Sequence, residues 1–465
     1  MGLDIAIVAI YVLLVVVMSL RGGRGMKSAA DFSASGGRYG TAVIFATMAA
    51  SYVGGGYSSG NAAGAFEHGI STTLALFGFS LSMVVIGKWI APGADRFRGE
   101  ATVGGIIGRC YGRPARILTG IFSFLCCAGV VGAQVETMGI VFQVLLGIPP
   151  TLGSLLGCCV VLIYSTFGGM QSVIVADILQ FALLAVGMPV LLAAGLYRAG
   201  GLGEVLSSLP PEYFNPFNGT TPAGFVSLFC CMMLGEALVP PYTQRLLIGK
   251  NSRSTARGTV LSGLFSIPFF VITGLIGLTA YVLGVSDQSA TAMPALIRAV
   301  LPIGVRGVVM AAMVSIMLSA ADSFLNSASI SLVCDTLMPL RPGMTGRQQL
   351  RALRLTNLLT GIAAVAVSYA VPDVFGILIL AYSFWSPLVL VPLAAGFLGV
   401  RSNGRAFRYA LLTGLVLTVA WNFVLGKPFG IDGSVIGVLG NLAVFTACTR
   451  AVGRYRSPVL TIKTR

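Results

Sequence analysis

Long apolar segments recur from one end of the chain to the other, separated by short polar connections. Each segment is long enough to cross a hydrocarbon core of about 30 Å, which takes about 20 helical residues. The pattern predicts an all-α integral membrane protein with about 13 transmembrane helices. The predicted spans are residues 4–20, 41–66, 71–91, 117–147, 150–167, 172–196, 222–244, 257–284, 304–333, 352–371, 374–398, 407–425 and 433–449.

Basic residues fall almost entirely in alternate connections. Of the 30 Lys and Arg residues, 26 lie on one side, and the other side holds only Arg198, Arg298, Arg306 and Lys427. This asymmetry matches the positive-inside rule. It predicts a multi-pass protein of the cytoplasmic membrane, with its amino terminus outside and its carboxyl terminus in the cytoplasm. The net charge of +15 is then a topology signal, and we expect no nucleic-acid partner.

The composition indicates one membrane-embedded unit. Charged residues make up 10% of the chain, whereas soluble proteins carry about 25%. We therefore expect a single transmembrane domain over residues 1–465, with membrane lipid around it and no soluble module. Residues 4–20 form an extra first helix, and residues 407–449 form two peripheral helices.

The spans between these extra helices divide into two sets of five, residues 41–196 and 222–398. Because five is odd, the second set crosses the membrane in the opposite sense. The first span of each set carries a helix-breaking sequence, Gly54-Gly55-Gly56 in one and Pro240-Pro241 in the other. Glycine frees the backbone and proline removes a hydrogen-bond donor. Broken helices at matching positions of two inverted repeats indicate a transporter's binding site.

Four carboxylates lie in the interior of predicted spans, away from their ends: Glu136, Asp177, Glu236 and Asp322. We expect no Lys or Arg in the interior of any span, so these groups lack a basic partner. Ionisable residues inside a membrane usually mark ion or substrate pathways. Such carboxylates attract cations or hold protons, although a protonated carboxyl bonded to a neighbouring helix is an alternative.

Around Asp322, polar residues recur at spacings of three and four. This spacing places them on one face of a helix, which must point into the bundle or a wet cavity. The stripe consists of Ser315, Ser319, Asp322, Ser323, Asn326 and Ser329.

Several stretches resemble the sodium:solute symporter family, which includes carriers of proline, sugar, sialic acid, pantothenate and choline. Residues 319–329 look like that family's eighth core helix, and residues 164–180 look like its fourth-to-fifth-helix signature. Tyr242-Thr-Gln-Arg245 resembles the segment after the sixth core helix, and Asp31-Phe32 with Gly36-Gly37-Arg38 resembles the stretch before the first. The resemblance implies a LeuT-type inverted repeat of five plus five helices.

The resemblance also implies where a coupling ion binds. One site takes backbone carbonyls of Ala50 and Val53 together with Ile316, Ser319 and position 320. Here the chain departs from the family, because Ala320 has no hydroxyl. A second ion position falls among Asp177, Ser319, Asp322 and Ser323. Na⁺ is the expected coupling ion and a proton the alternative, with no organic cofactor.

The implied substrate site surrounds the two breaks. The predicted substrate-binding residues are Ser51, Tyr52, Gly54, Gly55, Tyr57, Glu236 and Val239. Glu236 favours a small solute with an amino or ammonium group, and Tyr52 could stack on such a cation. The first core helix resembles that of choline carriers, but the third and sixth core helices contain no tryptophan to complete an aromatic cage.

These features predict a secondary active transporter that couples Na⁺ to the uptake of a small organic solute by alternating access. A proton-coupled transporter of the same fold is one alternative. A membrane ligand sensor built on the transporter body is another, and a channel is a third. The only histidine, His68, lies in a predicted external loop and no metal-ligand cluster is apparent, so we expect no enzyme activity. No obligatory protein partner is evident.

Overall fold

A computed structural model describes residues 2–22, 26–33, 37–371 and 374–454. Gly36, from one of the motifs above, and the chain end at 455–465 lie outside the described residues. The described α-helices are α1 (Gly2–Gly22), α2 (Ala29–Ser33), α3 (Thr41–Tyr52), α4 (Asn61–His68), α5 (Ile70–Val85), α6 (Val103–Tyr111), α7 (Arg113–Leu146), α8 (Pro150–Arg198), α9 (Leu202–Ser207), α10 (Pro222–Leu234), α11 (Pro240–Leu247), α12 (Ser252–Val282), α13 (Ala292–Val300), α14 (Val305–Ile330), α15 (Met338–Leu340), α16 (Gly346–Ala370), α17 (Val374–Ser383), α18 (Val391–Leu398), α19 (Gly404–Val419) and α20 (Gly433–Arg454).

Ten helical segments of the described chain are long and apolar enough to cross a membrane, and α3 and α10 are shorter apolar helices. Helix α8 has 49 residues and contains a kink at Gly169, where φ is 69°. It therefore covers both of the predicted spans 150–167 and 172–196. The predicted all-helical membrane architecture is confirmed, whereas the number of 13 crossings stays a prediction.

Both predicted breaks are present. Helix α3 ends at Tyr52, and a π-helical turn over Gly56–Gly60 leads into α4. Helix α10 ends at Leu234, and α11 begins only at Pro240. The two prolines stand at the start of α11, where a missing N–H costs nothing. The second break itself lies just before them, and it includes Leu238 with a φ of 55°.

Helix α14 forms the centre of the protein. It begins a helical span that runs over Val305–Leu340. In one 18-residue stretch of this span, 94% of the residues are buried, whereas 22% are buried in the corresponding stretch of α1. The polar stripe from Ser315 to Ser329 is buried along its whole length. It therefore faces other helices, chiefly α7 and α8, and not lipid.

The extra helix α1 is attached to the start of α14 by Asp4, which is 1% exposed. Its carboxylate accepts hydrogen bonds from Arg306 Nη2 at 2.6 Å and Nε at 2.9 Å. It also accepts from the backbone N–H groups of Gly304 and Gly307. A carboxylate at a helix start satisfies free N–H groups and the helix dipole.

We predict that Asp4→Ala lowers the stability of the folded protein by about 2 kcal/mol, because it leaves a partly buried guanidinium without its counter-charge. Thermal unfolding in detergent measures this change. The matched control is Arg98→Gln, which breaks an exposed Asp95–Arg98 pair and should cost about 0.5 kcal/mol or less. Equal losses in the two variants would contradict this role of Asp4.

Candidate ion and substrate site

The first break is supported by side chains of α7. The backbone N–H of Gly55 donates to Gln134 Oε1 at 2.6 Å. A Cβ on Gly54 would lie 2.9 Å from the Gln134 amide, and one on Gly55 would overlap Thr137. The glycines are therefore needed because the backbone approaches α7 too closely for a side chain.

The end of α3 meets α14 at this break. Val53 ends the helical hydrogen bonding with ψ at 80°, and both Ala50 and Val53 are fully buried. A Cβ on Gly54 would lie 3.0 Å from the Cβ of Ala320. The predicted ligands from α3 thus lie beside the stretch of α14 that contains Ile316 and Ser319. At the position where the family pattern has a hydroxyl, a methyl group packs against the break.

Asp177 lies at the centre of a buried polar network. Its Oδ1 accepts from Ser319 Oγ at 2.7 Å. Its Oδ2 accepts from the hydroxyl of Thr47 and from Arg245 Nη2, the latter at 2.8 Å. The structure therefore joins α8 to α3, α11 and α14 through one carboxylate.

Arg245 corrects the expectation that the membrane carboxylates lack a basic partner. Its guanidinium is fully buried and forms an ion pair with Asp177. It also donates to Ser323 Oγ at 2.7 Å and to the carbonyl of Pro241 at 3.0 Å. The prediction was wrong because Arg245 lies one residue beyond the predicted span 222–244, and its burial comes from the packing of α11 against α3, α8 and α14.

Ser51 lies beside the Asp177 network, next to Ser323. Its hydroxyl is 3.2 Å from that of Ser323 and donates to the carbonyl of Thr47. Its described hydrogen bonds do not involve Glu236, and its role in substrate binding stays a prediction. Asp322 is buried nearby, and among the residues that the structure describes its Oδ1 has no hydrogen-bond partner.

Glu236 lies inside the second break and is 3% exposed. Its two carboxylate oxygens accept from the hydroxyls of Tyr382 at 2.6 Å and Tyr242 at 2.7 Å. Tyr57, which follows the first break, is a third neighbour. Residues from both breaks therefore meet at one carboxylate, with Val239 buried at the start of α11.

Aromatic rings pack around Tyr57, one of the three tyrosine neighbours of this carboxylate. The ring of Tyr57 lies 5.0 Å from that of Phe79 and 5.4 Å from that of Phe270. Tyr52 packs on Phe79 at 4.8 Å, while its hydroxyl donates to the carbonyl of Ser262. Tyr52 is thus held in place by α12, as expected for a buried tyrosine whose hydroxyl needs a partner.

A tryptophan does reach the second break, from outside the third and sixth core helices. Trp385 is fully buried between α17 and α18, and its indole N–H donates to the carbonyl of Ala237 at 2.9 Å. Nothing in the local sequence pattern distinguishes Trp385 or Tyr382 from ordinary packing residues. The only available signal was that each carries a polar group that a buried position must satisfy.

A cavity of about 490 Å³ opens beside the first break. Its lining includes Ser59 and Thr137 near the break, and Glu67, His68 and Glu136 further out. Glu136 therefore lies in this cavity and belongs neither to the Asp177 network nor to the surroundings of Glu236.

Comparison with known proteins assigns the family. Residues 32–403 match the model of the sodium:solute symporter family. The chain belongs to this family. It is 25% identical to the human high affinity choline transporter 1, covering 91% of this chain and 77% of the relative. It is 24% identical to the sodium/pantothenate symporter of Escherichia coli, covering 81% and 80%.

A solved structure supports the fold. A Na⁺-coupled sialic acid symporter in a substrate-bound outward-open state superposes with a TM-score of 0.83, at 16% identity over 98% of each chain. The predicted LeuT-type fold is therefore confirmed. As a sodium:solute symporter, this protein is a secondary transporter of small solutes and not an enzyme.

We predict that the Asp177–Arg245 pair is strongly coupled. Asp177→Asn and Arg245→Gln each leave a buried charge without its partner, which costs about 3–5 kcal/mol. The double variant should be more stable than the sum of the single effects implies, by at least about 1.5 kcal/mol. Thermal unfolding of the four proteins measures this coupling, and additive effects would show that the two charges do not depend on each other.

Proposed function

We propose that this symporter uses a Na⁺ gradient to take up a small solute that carries an amino or ammonium group. The observation that carries the proposal is Glu236. It is a buried carboxylate at the meeting point of the two helix breaks, surrounded by aromatic rings. Such surroundings favour a desolvated organic cation through charge attraction and cation–π contacts.

The tyrosine hydroxyls add specificity to this site. Tyr242 and Tyr382 donate to Glu236, so the carboxylate is already oriented before a solute arrives. An ammonium group can then approach an oxygen lone pair that the hydroxyls leave free. The similarity to choline transporters supports a cationic solute. The similarity to a sodium/pantothenate symporter is similarly high, so the chemical groups of the solute beyond its amine are not assigned.

For the ion, we propose a Na⁺ position formed by Ala50, Val53, Ile316 and Ser319, next to the carboxylates Asp177 and Asp322. Oxygen ligands of this kind suit a hard cation. Ser319 is central because its hydroxyl also bonds to Asp177. The guanidinium of Arg245 donates to both Asp177 and Ser323 and places a positive charge between them. A second Na⁺ between these two residues is therefore disfavoured in this conformation.

A proton is the alternative coupling ion, and two observations favour it. Ala320 offers no side-chain oxygen at the proposed Na⁺ position. Asp322 is buried with an oxygen that has no hydrogen-bond partner within the described chain. A proton bound to Asp322 would then serve as the coupling ion, and no Na⁺ site would be needed.

For the orientation, we propose an external amino terminus in the cytoplasmic membrane. The cavity beside the first break then opens to the outside, because its lining includes Glu67 and His68 from the predicted external loop. On the opposite side, which is rich in Lys and Arg, the hydrogen bonds of Arg245 to α3, α8 and α14 hold these helices together and so close the path to the cytoplasm. This arrangement corresponds to an outward-facing state.

We predict that Ala320→Ser raises the affinity for Na⁺ roughly tenfold, since one added oxygen contributes about as much as a hydrogen bond to a charged group. The measurement is the Na⁺ concentration that half-activates uptake into proteoliposomes. Ala321→Ser adds a hydroxyl at the adjacent buried position and should leave this value unchanged. Uptake that ignores Na⁺ in both variants and follows a pH gradient would instead support proton coupling.

We predict that Glu236→Gln weakens binding of amine-bearing solutes by at least about tenfold, because the substitution removes the counter-charge but keeps the hydrogen-bonding shape. Thermal stabilisation of the purified protein by a panel of amines and their neutral analogues measures this selectivity. Glu136→Gln, in the outer cavity, is the matched control and should affect binding much less. Equal loss for charged and neutral solutes would indicate a structural role for Glu236.

A further inference from the structure

A second cavity is lined by residues 100–116 and 334–339 and by no residue of the helix breaks. The charge pattern of the sequence predicts that these connections face the cytoplasm. The volume of the cavity is about 520 Å³. The charged residues that line it are Arg109, Arg113, Arg116 and Glu100, and its wall includes Cys334 and Pro339. It is formed where α6, the start of α7 and the segment that follows α14 meet. We refer to it as the arginine cavity.

The local sequence explains why the arginines converge. Arg109 is in the last turn of α6 and Arg113 is the first residue of α7, and Gly112 joins the two helices with φ at 91°. This turn brings both guanidinium groups to one rim. A Cβ on Gly105 would overlap Glu100, so the small residue leaves room for the cavity.

The three arginines differ in how far their charge is already used. Arg116 forms an ion pair at 3.1 Å with Asp335, a carboxylate that is fully buried. Arg109 lies 3.9 Å from Glu100 and is half exposed, and Arg113 donates one N–H to the carbonyl of Pro339. A guanidinium has five N–H donors, so Arg109 and Arg113 retain donors that can reach a ligand.

We propose that the arginine cavity binds a phosphoryl anion, supplied either by the headgroup of an acidic phospholipid or by free phosphate. Guanidinium groups bind phosphate oxygens in pairs. Basic pockets between transmembrane helices on the cytoplasmic side are suited to anionic lipid headgroups. A bound anion would bridge α6 and α7 to the segment after α14, and so stabilise the contact between Arg116 and Asp335. This site is independent of the solute and the coupling ion.

The test compares thermal stabilisation of the full-length protein in a neutral detergent by phosphatidylglycerol, by phosphatidylcholine and by inorganic phosphate. The double variant Arg109→Gln/Arg113→Gln should bind the anion about tenfold or more weakly, since each basic residue contributes to attraction of acidic lipid. The control Arg351→Gln removes an exposed arginine of α16 and should change nothing. Arg116 is left intact because it holds Asp335.

Stabilisation by phosphatidylglycerol alone, lost in the double variant, supports a lipid headgroup. Equal stabilisation by inorganic phosphate, lost in the same variant, supports a free phosphate. Should the double variant not fold, Glu100→Gln tests the same site, because removal of the acidic group should tighten anion binding. The proposal is overturned if no anion stabilises the protein more than phosphatidylcholine, or if Arg351→Gln abolishes the effect as completely as the double variant.

Discussion

A single buried ion pair joins four helices beside the two helix breaks. Arg245 and Asp177 are both almost completely buried, and between them they bond to Thr47, Ser319 and Ser323. Removing an unpaired charge from water costs several kcal/mol, so each of these groups requires the others. Four helices, α3, α8, α11 and α14, are therefore joined by one charged centre. Any movement of α3 against α14 must break or carry these bonds.

The short helix α11 connects this centre to Glu236, the carboxylate that we propose to bind the solute. Tyr242 and Arg245 are three residues apart on α11. The first donates to Glu236, and the second pairs with Asp177. A shift of α11 on solute binding would therefore also move Arg245 relative to Asp177. A change at Asp177 would likewise move Tyr242 relative to Glu236. Coupling between two sites needs a shared element whose arrangement both sites influence. In this protein α11 is the physical candidate for that element.

The departure at Ala320 gives this member of the family a distinct local chemistry. Where the family pattern has a hydroxyl, a methyl group packs against Gly54. The backbone of the first break is instead supported from the opposite side, by the amide of Gln134 on α7. The break is thus held in shape by close packing and one side-chain amide. Asp177 is already paired with Arg245, so Asp322 is the buried carboxylate near the break without a basic partner among the described residues.

The sequence by itself determined the membrane architecture, the two helix breaks and the buried polar face of α14. Lipid requires long apolar helices, glycines and prolines act locally, and a helical period assigns residues to a face, so each feature can be read from neighbouring residues. Only the tertiary structure decided which groups meet. Tyr382 lies 146 residues from Glu236, and Arg245 follows a break that allows it to turn inward. Such partners depend on how distant helices pack, and neither the hydropathy nor the periodicity of one segment contains that information.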